Sequence, residues 1–281
     1  MNDHRERQSN PVHIAPVELT KTVHQQFVAD RKIETRYVRI VQLVILLAFF
    51  FLWELAGRLK WIDTLLFSYP TKVFSLLWDK LLDGTLLPHA GATVLETIIG
   101  FALGTLFGTA LAVIIWWSPF LSRVLDPYIV VLNSMPKVAL GPLFIVGLGP
   151  GLLSIIATTL SITVIITTLV IYGSFKEVDA NYVKVVTLFG GNRRKVLQKV
   201  ILPASFPAIV ATLKVNVGLA WVGVIVGEFL VSQIGLGYLI IYGFQVFNFT
   251  LVISTLIVIA IVATFMYQAV AYLEKRITRH Q

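Results

Sequence analysis

Between Val138 and Phe175 the chain carries no charged residue, and this run constrains the fold more than any other feature of the sequence. A bilayer's hydrocarbon core is about 30 Å thick and a helix rises about 1.5 Å per residue, so about 20 residues cross it. The run is 38 residues long, too long for one crossing, and must turn back on itself. Gly147-Leu148-Gly149-Pro150-Gly151 supplies the turn, which predicts one span over 128–146 and another over 152–172. Pro136 and Pro142 make the first of these irregular, because proline lacks the N–H that a helix interior needs.

Four further windows qualify on the same criterion: 40–57, 97–117, 209–230 and 250–272. The sequence therefore predicts an all-α integral membrane protein of six spans. From Val215 to Leu273 the only charge is Glu228, and the Gly-rich stretch 231–249 between the last two spans suits an interfacial dip. The 281 residues are 57% hydrophobic and 14% charged, against about 25% charged in soluble domains. No soluble domain of ordinary size, about 100 residues, fits outside the spans. Residues 1–38 read as a polar, disordered tail without the early apolar run of a signal peptide, and 274–281 as a short second tail.

Six spans put both termini on one side. With the N-terminus inside, the inner segments carry 17 Lys and Arg and the outer ones 4. The positive-inside rule then predicts both termini in the cytoplasm. The formal charge of +8 is thus a matter of topology and calls for no nucleic acid. Cysteine is absent, which excludes disulfides, thiolate metal sites and Cys nucleophiles. No Gly-x4-Gly-Lys-Ser/Thr phosphate loop occurs, and the five histidines form no ligand pair at helical spacing. The sequence thus offers no catalytic residues and no metal site.

The inner loop 173–208 is more than a connector. Tyr182, Val185, Val186 and Phe189 fall at i, i+3, i+4 and i+7, an apolar stripe on a short helix. Gly190-Gly191 ends that helix, and a second amphipathic stretch runs from Arg193 to Leu202-Pro203. By periodicity alone the loop fits interface helices covering the protein's own ends as well as it fits a contact with another protein.

Here the sequence resembles type I ABC importer permeases. Their cytoplasmic signature runs E-A-A, three residues, Gly, nine residues, Ile-x-Leu-Pro. In this chain Gly190 is followed by nine residues and then Val200-Ile201-Leu202-Pro203, while Lys184-Val185-Val186 stand in place of the acidic residue and two alanines. Gly218-Leu219-Ala220-Trp221, Gly227-Glu228 and Gly235-Leu236-Gly237-Tyr238-Leu239 resemble the branch serving nitrate, sulfonate, taurine and thiamine-precursor uptake. Trp53-Glu54, Pro70-Thr71, Gly100-Phe101 and Gly141-Pro142-Leu143-Phe144 agree with that branch, and Glu96 departs from its basic residue.

The resemblance implies a permease core over 91–273, following a first span and outer segment over 39–90. It implies a homodimer working with two cytoplasmic ATPases, which bind ATP-Mg, and with an extracytoplasmic binding protein. Tyr182, Lys184, Val185, Val186, Phe189, Gly190, Leu202 and Pro203 would then form the joint with the ATPase. The cluster Arg193-Arg194-Lys195 suits either an acidic rim on that partner or anionic lipid head groups. The rival reading is an ATPase-independent secondary transporter or channel; a third is a scaffold without transport.

Polar groups within spans face cavities or one another, because a central charge costs about 2.5–3.5 kcal/mol on insertion scales. Glu228, with Asn216 and Trp221 on the same segment, is a candidate for the translocation path or for a hydrogen-bonded structural carboxylate. Asn133, Pro136 and Lys137 form a polar kink in which Lys137 either meets an anion or snorkels. Gly100, Gly104 and Gly108 are two overlapping Gly-x3-Gly steps, fit for packing within one subunit or between two. The outer run after Ser68-Tyr69-Pro70-Thr71 reads as an amphipathic helix, packed on the membrane or facing a binding protein.

Overall fold

The computed structural model describes residues 17–278, and every regular element among them is helical. In chain order these are α1 (Val17–Arg58), α2 (Pro70–Leu82), α3 (Leu86–Trp117), α4 (Pro119–Ser134), a 3₁₀ turn (Lys137–Leu140), α5 (Gly141–Leu148), α6 (Leu152–Glu177), α7 (Ala180–Leu188), α8 (Arg193–Val196), a π turn (Leu197–Ile201), α9 (Leu202–Val231), α10 (Leu236–Gln245) and α11 (Phe249–Thr278). Five helices are long and apolar enough to cross a membrane: Glu34–Arg58, Leu86–Trp117, Leu152–Glu177, Arg193–Val231 and Phe249–Arg276.

The expected third span is two half-helices. α4 and the segment Lys137–Leu148 meet at 91°. The break falls at Met135, which is extended (φ −71°, ψ 143°) because the residue before a proline is driven out of the helical region. The pair begins at Pro119 rather than near Tyr128. The tail expected over 1–38 is corrected as well. Residues 1–16 lie outside the described residues, but 17–38 are the first turns of α1, since no Pro or Gly interrupts the chain between Val17 and Ala56. Likewise α11 carries the expected C-terminal tail on to Thr278.

α6 is the central helix, and its neighbours meet it through glycine. Gly100, Gly104 and Gly108 of α3 lie against Thr159, Thr163 and Thr167 of α6, and a Cβ on any of the three would overlap the facing threonine. From the other side α9 presents Gly223 and Gly227, where a Cβ would stand 2.6 Å from Thr159 Cα and 3.0 Å from Ile155 Cα. The three glycines of α3 therefore serve packing within one subunit. The threonines do not demand partners across the interface, because Thr159, Thr163 and Thr167 donate to the carbonyls one turn earlier on their own helix. Thr167 also meets Asn216 of α9, whose Nδ2 donates to Thr105 of α3 at 2.9 Å.

Contacts sort the helix ends into two groups. At one end, Arg193 donates to the Trp116 carbonyl, Lys176 pairs with Asp126, Ser122 hydrogen-bonds Tyr172, and Lys214 pairs with Glu274. At the other, Ser68 meets Thr250, His89 accepts from the Gly235 amide, and Gly141 lies against Leu230. The bent pair thus starts at one end, at Pro119, and reaches the other by Gly141, so it joins the two ends of the bundle as a broken sixth span. α2 packs on the bundle. Glu54, near the end of α1, accepts from the Thr71 amide and hydroxyl at 2.9 and 2.6 Å, a carboxylate at the N-terminus of α2 where the helix dipole favours it.

Gly104→Val tests the α3–α6 seam. Overpacking of this kind costs about 1–3 kcal/mol, so the variant should melt at lower temperature in detergent, whereas Gly91→Val, at a position with nothing within 4 Å of a Cβ, should melt close to the parent.

Candidate functional site

The loop between α6 and α9 folds into a capped hairpin. Val178 leaves α6 in extended geometry, and the Asp179 carboxylate caps α7 by accepting from the Asn181 amide at 2.8 Å. At the other end of α7, Gly190 has φ +76°, its amide bonds the Thr187 carbonyl at 3.0 Å, and the Gly191 amide bonds the Val186 carbonyl at 2.8 Å. This pair of bonds is a Schellman closure, and it needs a residue that tolerates positive φ. Gly191 is constrained too, since a Cβ there would collide with Val186. Asn192 then caps α8 by accepting from the Lys195 amide at 3.0 Å.

The hairpin is seated on its own protein. Val196, Leu197, Val200 and Ile201 are buried with Ile171, Tyr172 and Phe175 of α6 and with Ala112 and Ile115 of α3, and Val183 and Val186 of α7 pack against this cluster. Arg193 is engaged internally: Nη2 donates to the Trp116 carbonyl at 2.9 Å, which covers an open carbonyl at the end of α3, and the guanidinium lies 5.3 Å from the Trp116 ring centroid. Leu202 is half-buried and Pro203 exposed where α9 begins, directly after the π turn Leu197–Ile201.

What remains uncovered is one face of α7. Tyr182 is 64% exposed, Val185 50%, Leu188 86% and Phe189 89%, with Asn181 and Lys184 exposed between them. The predicted stripe is thus corrected at one position. Val186 faces inward, and Leu188, absent from the sequence reading, takes its place on the open face. In a helix of nine residues the apolar side chains Tyr182, Val183, Val185, Val186 and Leu188 surround most of the axis, so periodicity does not fix the inward face; the packing of Val183 and Val186 does.

The three buried candidates for the path line no open surface. Glu228 is 1% exposed: its Oε1 accepts from the Thr93 hydroxyl at 2.6 Å and its Oε2 from the Gly237 amide at 2.5 Å. Gly235 and Gly237 pack directly on its carboxyl, where a Cβ would intrude. Glu228 therefore caps α10 and holds it to α3. Around it, Thr93 also accepts from the Leu236 amide, His89 accepts from Gly235 and stacks on Tyr238, and buried Glu96 meets the Glu228 carboxyl. Nothing in the sequence pointed to Thr93 or His89, because their partners lie more than 130 residues away. Asn216 is fully buried in its knot with Thr105 and Thr167. Trp221 is buried beside Leu236 and Leu239.

The remaining three gather at the break in the third span. Asn133 and Pro136 are exposed, and Lys137 is half-buried with its Nζ on the Asn133 carbonyl at 2.8 Å. Lys137 thereby satisfies a carbonyl that the break leaves open at the end of α4. Among the described residues no group of three His, Cys, Asp or Glu side chains is placed to hold a metal.

Residues 104–279 match the family model described as "binding-protein-dependent transport system inner membrane component".

The chain belongs to this family.

This permease is 27% identical over 231 residues to the putative aliphatic sulfonates transport permease protein SsuC of Bacillus subtilis, covering 81% of the chain and 83% of that protein. It is 26% identical over 232 residues to the taurine transport system permease protein TauC of Escherichia coli, covering 80% and 84%. The fold matches solved ABC importers. Against an inward-facing form of the MetNI methionine ABC transporter the TM-score is 0.59 at 19% identity, covering 69% of this chain and 95% of that one. Against a bacterial transporter for import of the acidic polysaccharide alginate it is 0.61 at 14% identity, covering 93% and 99%. The permease has the type I ABC importer fold expected from its loop spacing.

Glu228→Ala leaves the Thr93 hydroxyl and Gly237 amide without their acceptor, at a cost of about 1–3 kcal/mol. The expected result is a parallel fall in abundance, melting temperature and uptake; full abundance with lost uptake would return Glu228 to the path.

Proposed function

We propose that this permease pairs with a second copy in the cell membrane to form the translocation path of an ATP-driven importer, fed by an extracytoplasmic binding protein and driven by two ATPases that bind ATP-Mg and grip α7. The carrying observation is the exposed face of α7. A helix capped at both ends, seated by Val183 and Val186, and presenting Tyr182, Val185, Leu188 and Phe189 outward is a knob built for a groove. An ATPase-independent transporter leaves that face without an occupant, and exposed large apolar clusters mark interaction sites. In this reading the chain supplies no nucleotide site of its own.

Orientation follows the same reading. The end of the bundle that bears α7 also carries Arg123, Lys176, Arg193, Arg194, Lys195, Lys199, Lys275 and Arg276, which supports placing it, and both termini, in the cytoplasm. The exposed break at Asn133 to Pro136 lies on the path, as irregular backbone at membrane depth is tolerated where it lines a cavity. α2 and the loop before α11 then face the binding protein. The named cargoes of the relatives, aliphatic sulfonates, taurine and, for a ThiX relative of Halalkalibacterium halodurans, formylaminopyrimidine, support a small polar solute as substrate.

Replacing Val185, Leu188 and Phe189 together with Asp tests the joint. The substituted side chains are exposed, so the chain should insert and run as a homogeneous species, while the co-extracted ATPase and the uptake of solute should each fall about tenfold or more. Undiminished uptake would sink the reading.

A further inference from the structure

The hairpin's charges are sorted by what they already hold. Residues 176–199 contain six basic residues and two acidic ones, Glu177 and Asp179. Lys176 pairs with Asp126 at 3.6 Å, Arg193 holds the Trp116 carbonyl, and Asp179 is the cap of α7. Exposed and without an ion pair among the described residues are Lys184, Arg194, Lys195 and Lys199, against Glu177 alone. α7 itself carries one charged residue, Lys184.

Lys184 stands at the edge of the apolar face, on the side of Leu188 away from Tyr182 and Phe189. With Val183 and Val186 turned inward, the helix period of 3.6 residues centres the outer face on Asn181 and Leu188, with Lys184 and Val185 on either side. Immersing this face in hydrocarbon would carry Asn181 and Lys184 in with Leu188, which a lipid surface disfavours. A protein groove has no such difficulty, because a carboxylate can be set opposite the lysine among apolar contacts.

We infer that Lys184 selects the partner: the groove that receives α7 bears an Asp or Glu facing Lys184, so this permease accepts ATPases with an acidic contact there and rejects those with a basic one. The inference rests on the coupling role proposed for α7. Opposite charges across an interface favour one partner, and like charges in contact exclude others. Arg194, Lys195 and Lys199 extend the same sign along the hairpin and raise the rate of encounter without contributing the selective contact.

The test uses the tagged full-length chain extracted gently from its native membrane, with the ABC-type ATPase in the extract identified by mass spectrometry and quantified per permease. Lys184→Glu should reduce the retained ATPase about tenfold, Lys184→Arg should retain it, and replacing the facing groove carboxylate of the ATPase with Lys should restore binding to the Lys184→Glu chain. If Phe189→Asp releases the ATPase and Lys184→Glu does not, the selectivity inference falls while the coupling role stands. If neither releases it, the coupling role fails and takes this inference with it. If removing anionic lipid from the parent chain reproduces the loss, and adding phosphatidylglycerol reverses it, Lys184 reads lipid and the inference is overturned.

Discussion

Close approach of three helix backbones is the constraint on which this structure depends. In a bilayer, apolar side chains gain nothing by leaving lipid for protein, so helices adhere through tight van der Waals contact and hydrogen bonding. Gly100, Gly104 and Gly108 on one side and Gly223 and Gly227 on the other let α3 and α9 lie directly on α6. The threonines between them bond their own helix, so their side chains fill the seam with hydroxyls already paired. The Asn216 knot then fixes the register of all three helices, because its donors and acceptors sit on α3, α6 and α9 at one level.

That seam decides which surfaces are left for other molecules. The three helices bury one another, and the polar groups at their far end are consumed in fastening α10: Glu228 and His89 accept its leading amides. A carboxylate that spends both oxygens on Thr93 and Gly237 serves as a helix cap. At the near end the same logic runs the other way. The hairpin's internal bonds are complete, its caps are satisfied and its inward valines are packed, yet its outward side chains are among the most exposed large apolar groups in the protein. Satisfied backbone with uncovered side chains is the condition of an interface.

The fold was largely legible in the sequence because bilayer thickness leaves few alternatives: the uncharged windows fell on the long apolar helices, and the loop spacing from Gly190 to Pro203 pointed to the family. The departures have physical causes. Pro136 gave warning of an irregular third span, but the 91° bend is set by how the two halves pack, which local sequence does not encode. Residues 17–38 read as a polar tail because composition was weighed over helix continuity. Glu228 reads equally as a path residue or a structural carboxylate because a lone charge in a span fits both, and the partners that decide, Thr93 and Gly237, are supplied by tertiary contacts; the neighbouring Gly235-Leu236-Gly237 was the available signal. The choice between Val186 and Leu188 exceeded what one short helix can reveal by period alone.

The connection between hairpin and spans determines what a load on α7 can do. α8 runs into α9 through the π turn Leu197–Ile201 without a break, α6 enters α7 across two residues, and Arg193 fastens the hairpin to the end of α3. α7 is therefore tied to all three helices of the glycine seam, whose packed interfaces favour discrete arrangements over smooth deformation. The bent pair is held differently. Its two halves meet this body separately, the first through Ser122, Asp126 and Ile129 and the second through Gly141, with the break at Met135-Pro136 between them. A rigid three-helix body joined to a span that is already broken concentrates relative motion at the break, where Asn133, Ser134 and Pro136 are exposed.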